Sequence, residues 1–321
     1  VSQDPSPPPS VPETWTVRRV IEWTTSHLKK YGSETPRLDA EVLLAHARGC
    51  QRIQLYTAYD EPLPDDVRAT MRDMVQRRAK SEPVAYLVGH REFFSLDFRV
   101  SRDVLIPRPD TETLVIEVIE AAKLLDAQRS STDNNNGCLR ILDLFTGSGC
   151  VAIAVAKHCL SAKINVDIVA ADISSAALNI ARENARMHQV DDRITFLEGD
   201  LFAEFPKDAK FDILAGNPPY IPSAEIDLLD DEIWKHEPRL ALDGGPQGLS
   251  VFERLIATAP KYALPNSRLL MEISPEQAES LQQQLLANDS YSDVSVRRDL
   301  AGRPRVIKAV LDGGEIIATE R

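Results

Sequence analysis

The chain is short of three things, and each shortage narrows what it can be. Its four cysteines, Cys50, Cys138, Cys150 and Cys159, form no C-x-x-C pair, and with six scattered histidines they offer no zinc-ligand spacing. No disulfide scaffold and no metal are expected, and the thiols read as the reduced thiols of a cytoplasmic protein. Long hydrophobic runs are also missing: none approaches the roughly 18 residues of a membrane span. The first residues lack a basic segment followed by an apolar one, so neither a membrane protein nor an exported one is expected. Positive charge is the third shortage, with a formal net charge of −12. Residues 1–110 are balanced at 16 basic and 16 acidic side chains, and residues 111–321 hold 21 basic and 33 acidic. Neutralising phosphates takes a cationic footprint, so direct nucleic-acid binding is not expected of so acidic a part.

What remains is a globular composition, 43% hydrophobic over 321 residues, long enough for one large and one small domain. Residues 1–12 are too rich in Pro and Ser to pack and are predicted to be a disordered tail. Over residues 13–90 apolar side chains recur at helical spacing in three segments, around Val17–Ile21, Leu38–Ala45 and Val67–Val75. Pro36 suits a first helical turn, Gly49 a C-terminal cap, and Asp65 or Asp66 an N-terminal cap. Arg77 and Arg78 are expected at the solvated end of the third helix. Residues 91–106 alternate Phe94, Leu96, Phe98 and Val100 and predict a hairpin linking two domains. Asp110 or Thr111 is placed to cap the next helix, and the polar stretch 128–137 predicts a loop.

From residue 107 to 321 the pattern alternates strand and helix. Strands are predicted at 139–144, 166–171, 194–198, 211–215, 268–273, 293–297 and 306–311, with helices at 150–158, 174–188, 251–262 and 275–286. The fold class is α/β, a mainly parallel seven-stranded sheet covered on both faces, with a small helical domain before it. Ligands of such sheets gather at the carboxyl ends of the strands.

Two features stand at those ends. Phe145-Thr146-Gly147-Ser148-Gly149 follows the first strand and opens a helix, offering backbone N–H groups and close main-chain approach to an adenosine-containing cofactor. Asp143 ends that strand. A carboxylate there repels a pyrophosphate and attracts a sulfonium or an α-amino group, and S-adenosylmethionine carries both cations. Asp172, at the end of the next strand, is placed to grip ribose hydroxyls, and Asp200 to accept from an adenine amino group with Leu201 and Phe202 packed on the base. Three aspartates at successive strand ends beside a glycine loop are improbable as mere turn formers.

The second feature is Asn217-Pro218-Pro219-Tyr220, directly after an apolar run. Two prolines cannot continue a sheet ladder, so the strand stops there. The Asn217 side chain and the Pro218 carbonyl can present two acceptors to one planar NH2 group, with Tyr220 as a flat wall. A strand-terminating turn with a buried tyrosine is the plainer reading of the prolines alone.

Asp-Leu-Phe-Thr-Gly-Ser-Gly, Ala-Asp-Ile-Ser, Gly-Asp-Leu-Phe and Asn-Pro-Pro-Tyr, in that order, resemble class I S-adenosylmethionine-dependent methyltransferases acting on planar NH2 groups. With the segments 83–89, 104–112, 236–245 and 298–305, the chain more narrowly resembles the release factor glutamine methyltransferases of the PrmC/HemK family. Phe145 departs from the glycine usual there. The resemblance implies S-adenosylmethionine as cofactor, held by Asp143, Phe145, Thr146, Gly147, Ser148, Gly149, Asp172, Asp200, Leu201 and Asn217. It implies the glutamine N5 of the Gly-Gly-Gln loop of peptide chain release factors as substrate. Asn217, Pro218, Pro219, Tyr220 and Glu237 would surround that glutamine, and the helical domain would recognise the rest of the factor. The alternatives left open are a ribosomal-protein glutamine methyltransferase and an adenine-N6 nucleic-acid methyltransferase, in which Asn-Pro-Pro-Tyr is equally at home.

Overall fold

The structure, a computed structural model, describes residues 14–132 and 137–312. The predicted tail at 1–12 lies outside the described residues, as does part of the predicted loop, residues 133–136. The chain divides into two compact units between Val88 and Gly89.

The first unit is helical: α1 (Val17–Lys30), α2 (Pro36–Arg48), α3 (Arg52–Thr57), α4 (Asp65–Arg78) and α5 (Val84–Val88). Three of these were legible from periodicity, whereas α3 and α5 span less than two turns and leave no pattern to read. Val17 and Ile21 of α1, Leu43 and Leu44 of α2, and Met71 and Val75 of α4 meet in one core. Gly49 ends α2 in the left-handed conformation at φ 61°, as its position predicted. Asp65 and Asp66 sit in the first turn of α4, after Pro64, instead of capping it. Arg78 corrects the expectation of a solvated helix end. Its Nε donates to Asp39 of α2 at 2.8 Å, and both side chains are less than a tenth exposed. Arg77 forks onto Glu82 at 2.9 and 2.7 Å. The end of α4 packs on the start of α2, so its charge works inside the unit.

The second unit opens with a hairpin, β1 (His90–Phe93) and β2 (Leu96–Arg99), then α6 (Glu112–Thr132). After that come β3 (Leu139–Leu144), α7 (Cys150–Ser161), β4 (Val166–Asp172), α8 (Ser175–Met187), β5 (Ile194–Glu198) and β6 (Phe211–Gly216). The short α9 (Asp231–Trp234), α10 (Ser250–Thr258), β7 (Ala263–Glu272), α11 (Ala278–Leu286), β8 (Tyr291–Arg298) and β9 (Pro304–Leu311) complete it. The seven-stranded sheet runs in the order β5-β4-β3-β6-β7-β9-β8. It is parallel from β5 to β7, and β9 is antiparallel to both of its neighbours. Along β3, Leu139 and Ile141 enter one core and Leu142 and Leu144 the other, so a core layer lies on each face of the sheet.

Three predicted boundaries move. Residues 128–132 continue α6 instead of forming a loop, because packing of a long helix on a sheet outweighs the weak propensity of a Ser-Ser-Thr end. β7 starts at Ala263, five residues early. Pro109–Thr111 forms a 3-10 turn with no side-chain cap, which leaves Asp110 and Thr111 for other work. The hairpin belongs to the second unit: Phe93 and Phe98 enter its core. Asn184 of α8, fully buried, accepts the Arg99 N–H at 2.8 Å and donates to the carbonyls of Arg99 at 3.1 Å and Ser148 at 2.9 Å. Among the described residues, no helix is long and apolar enough to cross a membrane.

Removing one partner of the Arg78–Asp39 pair strands a buried charge. Arg78→Ala is expected to cost about 3 kcal/mol, read as a lower urea midpoint, with Arg78→Lys recovering part of the loss.

Candidate active site

The end of β3 turns into α7 through residues 145–149, with Phe145, Gly147 and Gly149 all at positive φ. At Gly149, φ is 80° and an added Cβ would lie 3.0 Å from Ile153 Cδ1 and 3.1 Å from Ala181 Cβ. Only glycine lets α7 start this close to α8.

Two carboxylates brace this loop. Asp143 Oδ2 accepts the Thr146 hydroxyl at 2.6 Å and the Ala152 N–H at 3.2 Å. Asp172 accepts the N–H of Gly147 at 2.9 Å through one oxygen and that of Ser174 at 2.9 Å through the other. Burial pushes Asp143 up to about 7, with the charge of Asp172 adding to the effect. Asp172 is raised as well, by burial, against the pull of its backbone donors. Among the described residues no Lys, Arg or His pairs with either acid. Both line a cavity of about 250 Å³ whose other wall includes Asn217 and Pro219. A buried acid, Asp143, and a half-buried one, Asp172, in a shared cavity favour a cationic ligand, whose binding beside Asp143 lowers that group again. The α-amino group and sulfonium of S-adenosylmethionine match that donor set.

Asn217 follows the last residue of β6. Its Nδ2 donates to Thr111 Oγ1 at 3.4 Å. Among the described residues its Oδ1 accepts nothing, which leaves that oxygen free for a donor in the cavity. Pro218 is buried, and Pro219 and Tyr220 are half-buried. The turn is held from behind by residues 242–248. Ile221 donates to the Leu242 carbonyl and Gly244 to the Ile221 carbonyl, each at 2.9 Å. Gln277 Nε2 bridges the carbonyls of Tyr220 and Gly248, at 2.9 Å to each. A Cβ on Gly248, where φ is 71°, would fall 2.2 Å from the Tyr220 carbonyl oxygen. Burial, with the Glu272 charge second, pushes the Tyr220 hydroxyl up to about 12, so it is neutral at physiological pH.

Known proteins are similar to this chain in sequence. A family model described as the PrmC N-terminal domain matches residues 19–89, and one described as a methyltransferase domain matches residues 135–291. The release factor glutamine methyltransferase of Rhodopirellula baltica is 42% identical over 293 residues, covering 91% of this chain and 95% of that protein. That of Geobacter sulfurreducens is 38% identical over 92% of this chain and 97% of its own length. The chain belongs to the release factor glutamine methyltransferase family. Among solved structures, the hMettl16 catalytic domain in complex with the MAT2A 3'UTR hairpin 6 aligns at a TM-score of 0.51 and 15% identity, over 76% of this chain and 83% of that one. This likeness shows the shared methyltransferase fold.

In this member of the release factor glutamine methyltransferase family, Asp143, the loop 145–148, Asp172, Asp200, Asn217 and Pro219 line one cavity. Gly149, Pro218 and Tyr220 stand behind that wall and shape it. Leu201 and Phe202, expected against a base, are instead buried in the core. Phe202 stacks on Tyr262 with centroids 4.5 Å apart and rings 8° from parallel. The exposed apolar side chain beside Asp172 in the cavity is Ile173. Asp200 pairs with Arg254 at 2.8 Å, both about half exposed. Glu237 is not on the cavity wall. It is buried, pairs with Arg108 and accepts the Ile106 N–H at 3.2 Å, while its neighbour Pro238 reaches the cavity. Burial raises Glu237 and Arg108 opposes the rise. Phe145 adopts φ 60°, the conformation glycine takes without cost. It does so at a strain on the order of 1 kcal/mol, with its ring packed on the core beside Gly216. Sequence reasoning missed Arg108, Thr111, Glu272 and Gln277. Glu272 had a signal as an acid near the end of a predicted strand at the ligand side of the sheet, and Arg108 and Thr111 stood in the segment 104–112 that carries the family resemblance.

A carboxyl raised from about 3.8 to about 7 on folding stabilises the folded form below the lower value. That contribution is lost as pH rises through the upper one. Asp143→Asn keeps an acceptor for Thr146 and Ala152 and removes the charge. Without ligand it is expected to be more stable than wild type by about 4 kcal/mol at pH 8 and equal to it near pH 4, read as melting temperature against pH.

Proposed function

We propose that the chain transfers a methyl group from S-adenosylmethionine to the side-chain N5 of the glutamine in the Gly-Gly-Gln loop of peptide chain release factors. The observation that carries this reading is Asn217. Its free Oδ1 lines the same cavity as the buried Asp143 and half-buried Asp172 carboxylates, in a chain whose full-length relatives bear that name.

When bound, S-adenosylmethionine supplies an electrophilic methyl on a sulfonium. Asp143 and the 145–149 loop hold its cationic amino-acid end, Asp172 its ribose hydroxyls, and Ile173 and Asp200 its base. An amide nitrogen is a poor nucleophile because its lone pair is shared with the carbonyl, so the enzyme's work is to hold it in line. Asn217 Oδ1 and the Pro218 carbonyl accept its two N–H bonds. As the nitrogen becomes more tetrahedral and more positive, acceptors already aimed at its protons bind that state better than the ground state. Tyr220 and Pro219 wall the glutamine side chain. The helical unit that ends at Val88 recognises the rest of the factor, and the reaction takes place in the cytoplasm. The relatives' names favour a release factor over a ribosomal protein or a nucleic acid.

Incubating the protein and S-adenosylmethionine with a purified release factor is expected to add one methyl to the Gly-Gly-Gln glutamine by mass spectrometry, with none under Asn217→Ala. Methylated adenine in a DNA control, with the factor unmodified, would overturn the reading. Because cofactor binding brings a cation to Asp143, it is expected to release a proton near pH 7. Calorimetry in buffers of different ionisation enthalpy reads that release, and Asp143→Asn abolishes it.

A further inference from the structure

We propose that a cavity between α1 and α4 of the helical unit seats a segment of the release factor in which a large apolar side chain lies close to an acidic one. This rests on the reading of that factor as the substrate. The cavity has a volume of about 360 Å³. Its apolar lining comes from the buried Val20, Met71 and Val75 and from the rings of Trp15 and Trp23. Trp23 is half exposed. It meets Trp15 edge-on at 6.4 Å between centroids and stacks on His27 at 4.8 Å, with rings 13° from parallel. An indole held in this way loses little rotamer freedom when a partner side chain packs on it.

The polar part of the lining says what the occupant carries. Thr24 is 1% exposed, and its Oγ1 has no hydrogen-bond partner. A helical threonine ordinarily bonds the carbonyl one turn back, as Thr25 does to Ile21 at 2.7 Å. Thr24 makes no such bond, and an unpaired hydroxyl in an apolar wall costs stability unless a ligand meets it. Arg68 pairs with Asp65 through Nη2, while its Nε is buried with no partner. Among the described residues Arg72, exposed beside it on α4, has no ion pair. The lining holds these two arginines and His27 and no acid. A hydroxyl and a guanidinium N–H both donate, so the occupant brings the acceptors, and a carboxylate is the acceptor that the charge of Arg72 also attracts. Residues 1–110 balance 16 basic against 16 acidic side chains, so the unit lacks the cationic footprint of a phosphate-backbone binder. Local positive charge over an apolar cavity fits an acidic protein segment.

The test measures methylation of a purified release factor by the full-length protein and by its Trp23→Ala, Arg72→Glu and Thr24→Val variants. Trp23→Ala and Arg72→Glu are each expected to raise KM for the factor about tenfold, with the loss absent from kcat and from the Kd for S-adenosylmethionine. Arg72→Glu should also flatten the rise of KM with salt. Thr24→Val is expected to raise KM about threefold while its melting temperature holds or climbs, because it removes an unpaired buried hydroxyl. Wild-type KM in both Trp23→Ala and Arg72→Glu overturns the proposal, as does a loss confined to kcat. Self-association of the wild type that Trp23→Ala abolishes gives the cavity to a second copy of the chain. Binding of single-stranded RNA that Arg72→Glu abolishes gives it to a nucleic acid, and either result overturns the proposal. If the wild type leaves the factor unmethylated, the proposed function fails. The calorimetric affinity of the factor for wild type and Arg72→Glu then decides the cavity: weaker binding by the variant supports it, and equal affinities or no binding overturn it.

Discussion

The site depends on the register between β3 and β6. Leu144 lies opposite Gly216, so the glycine loop leaving one strand and the Asn-Pro-Pro-Tyr turn leaving the other begin side by side. The strand order changes direction between these two strands, which is where open α/β sheets form a crevice. A one-residue slip would turn every side chain of β6 to the opposite face and carry Asn217 away from Asp143. Two cores, one on each face, resist such a slip, because Ile141 and Leu142 of β3 are committed to opposite layers.

Around that junction the protein accepts unfavourable electrostatics. Asp143, Asp172 and Glu272 are all raised by burial, so each makes the ligand-free fold less stable at neutral pH than a neutral side chain would. Glu237 and Asp39, also buried, differ in having ion-pair partners, Arg108 and Arg78. The distinction separates acids that hold the fold together from acids kept ready for a ligand or for another side chain. Phe145 follows the same logic in backbone terms, holding a left-handed conformation at the loop that borders the cavity.

Much of this was readable from the chain. Six of the seven strands begin within two residues of their predicted starts and β7 begins five residues early, since burial on both faces writes long β-branched runs. The cavity residues Asp143, Thr146, Asp172 and Asn217 were legible because a glycine loop and a double proline can occur at strand ends for few reasons. Illegible were residues whose role comes from a partner distant in sequence. Glu237 reads as an acid before a proline until Arg108 is brought beside it. Arg78 reads as a solvated cation until Asp39 lies beneath it. Phe202 reads as a base-stacking ring until Tyr262 takes its face.

The sequence by itself therefore determined the order of elements, the points where strands must stop and the chemistry available at those points, because proline, glycine and apolar periodicity act over a few residues. Only the tertiary structure decided which acids are paired, which aromatic rings are core, and that Thr111 meets Asn217. Those outcomes depend on partners that lie tens to more than a hundred residues apart in the chain, and burial, which sets the charge state of each acid, exists only once the sheet has closed.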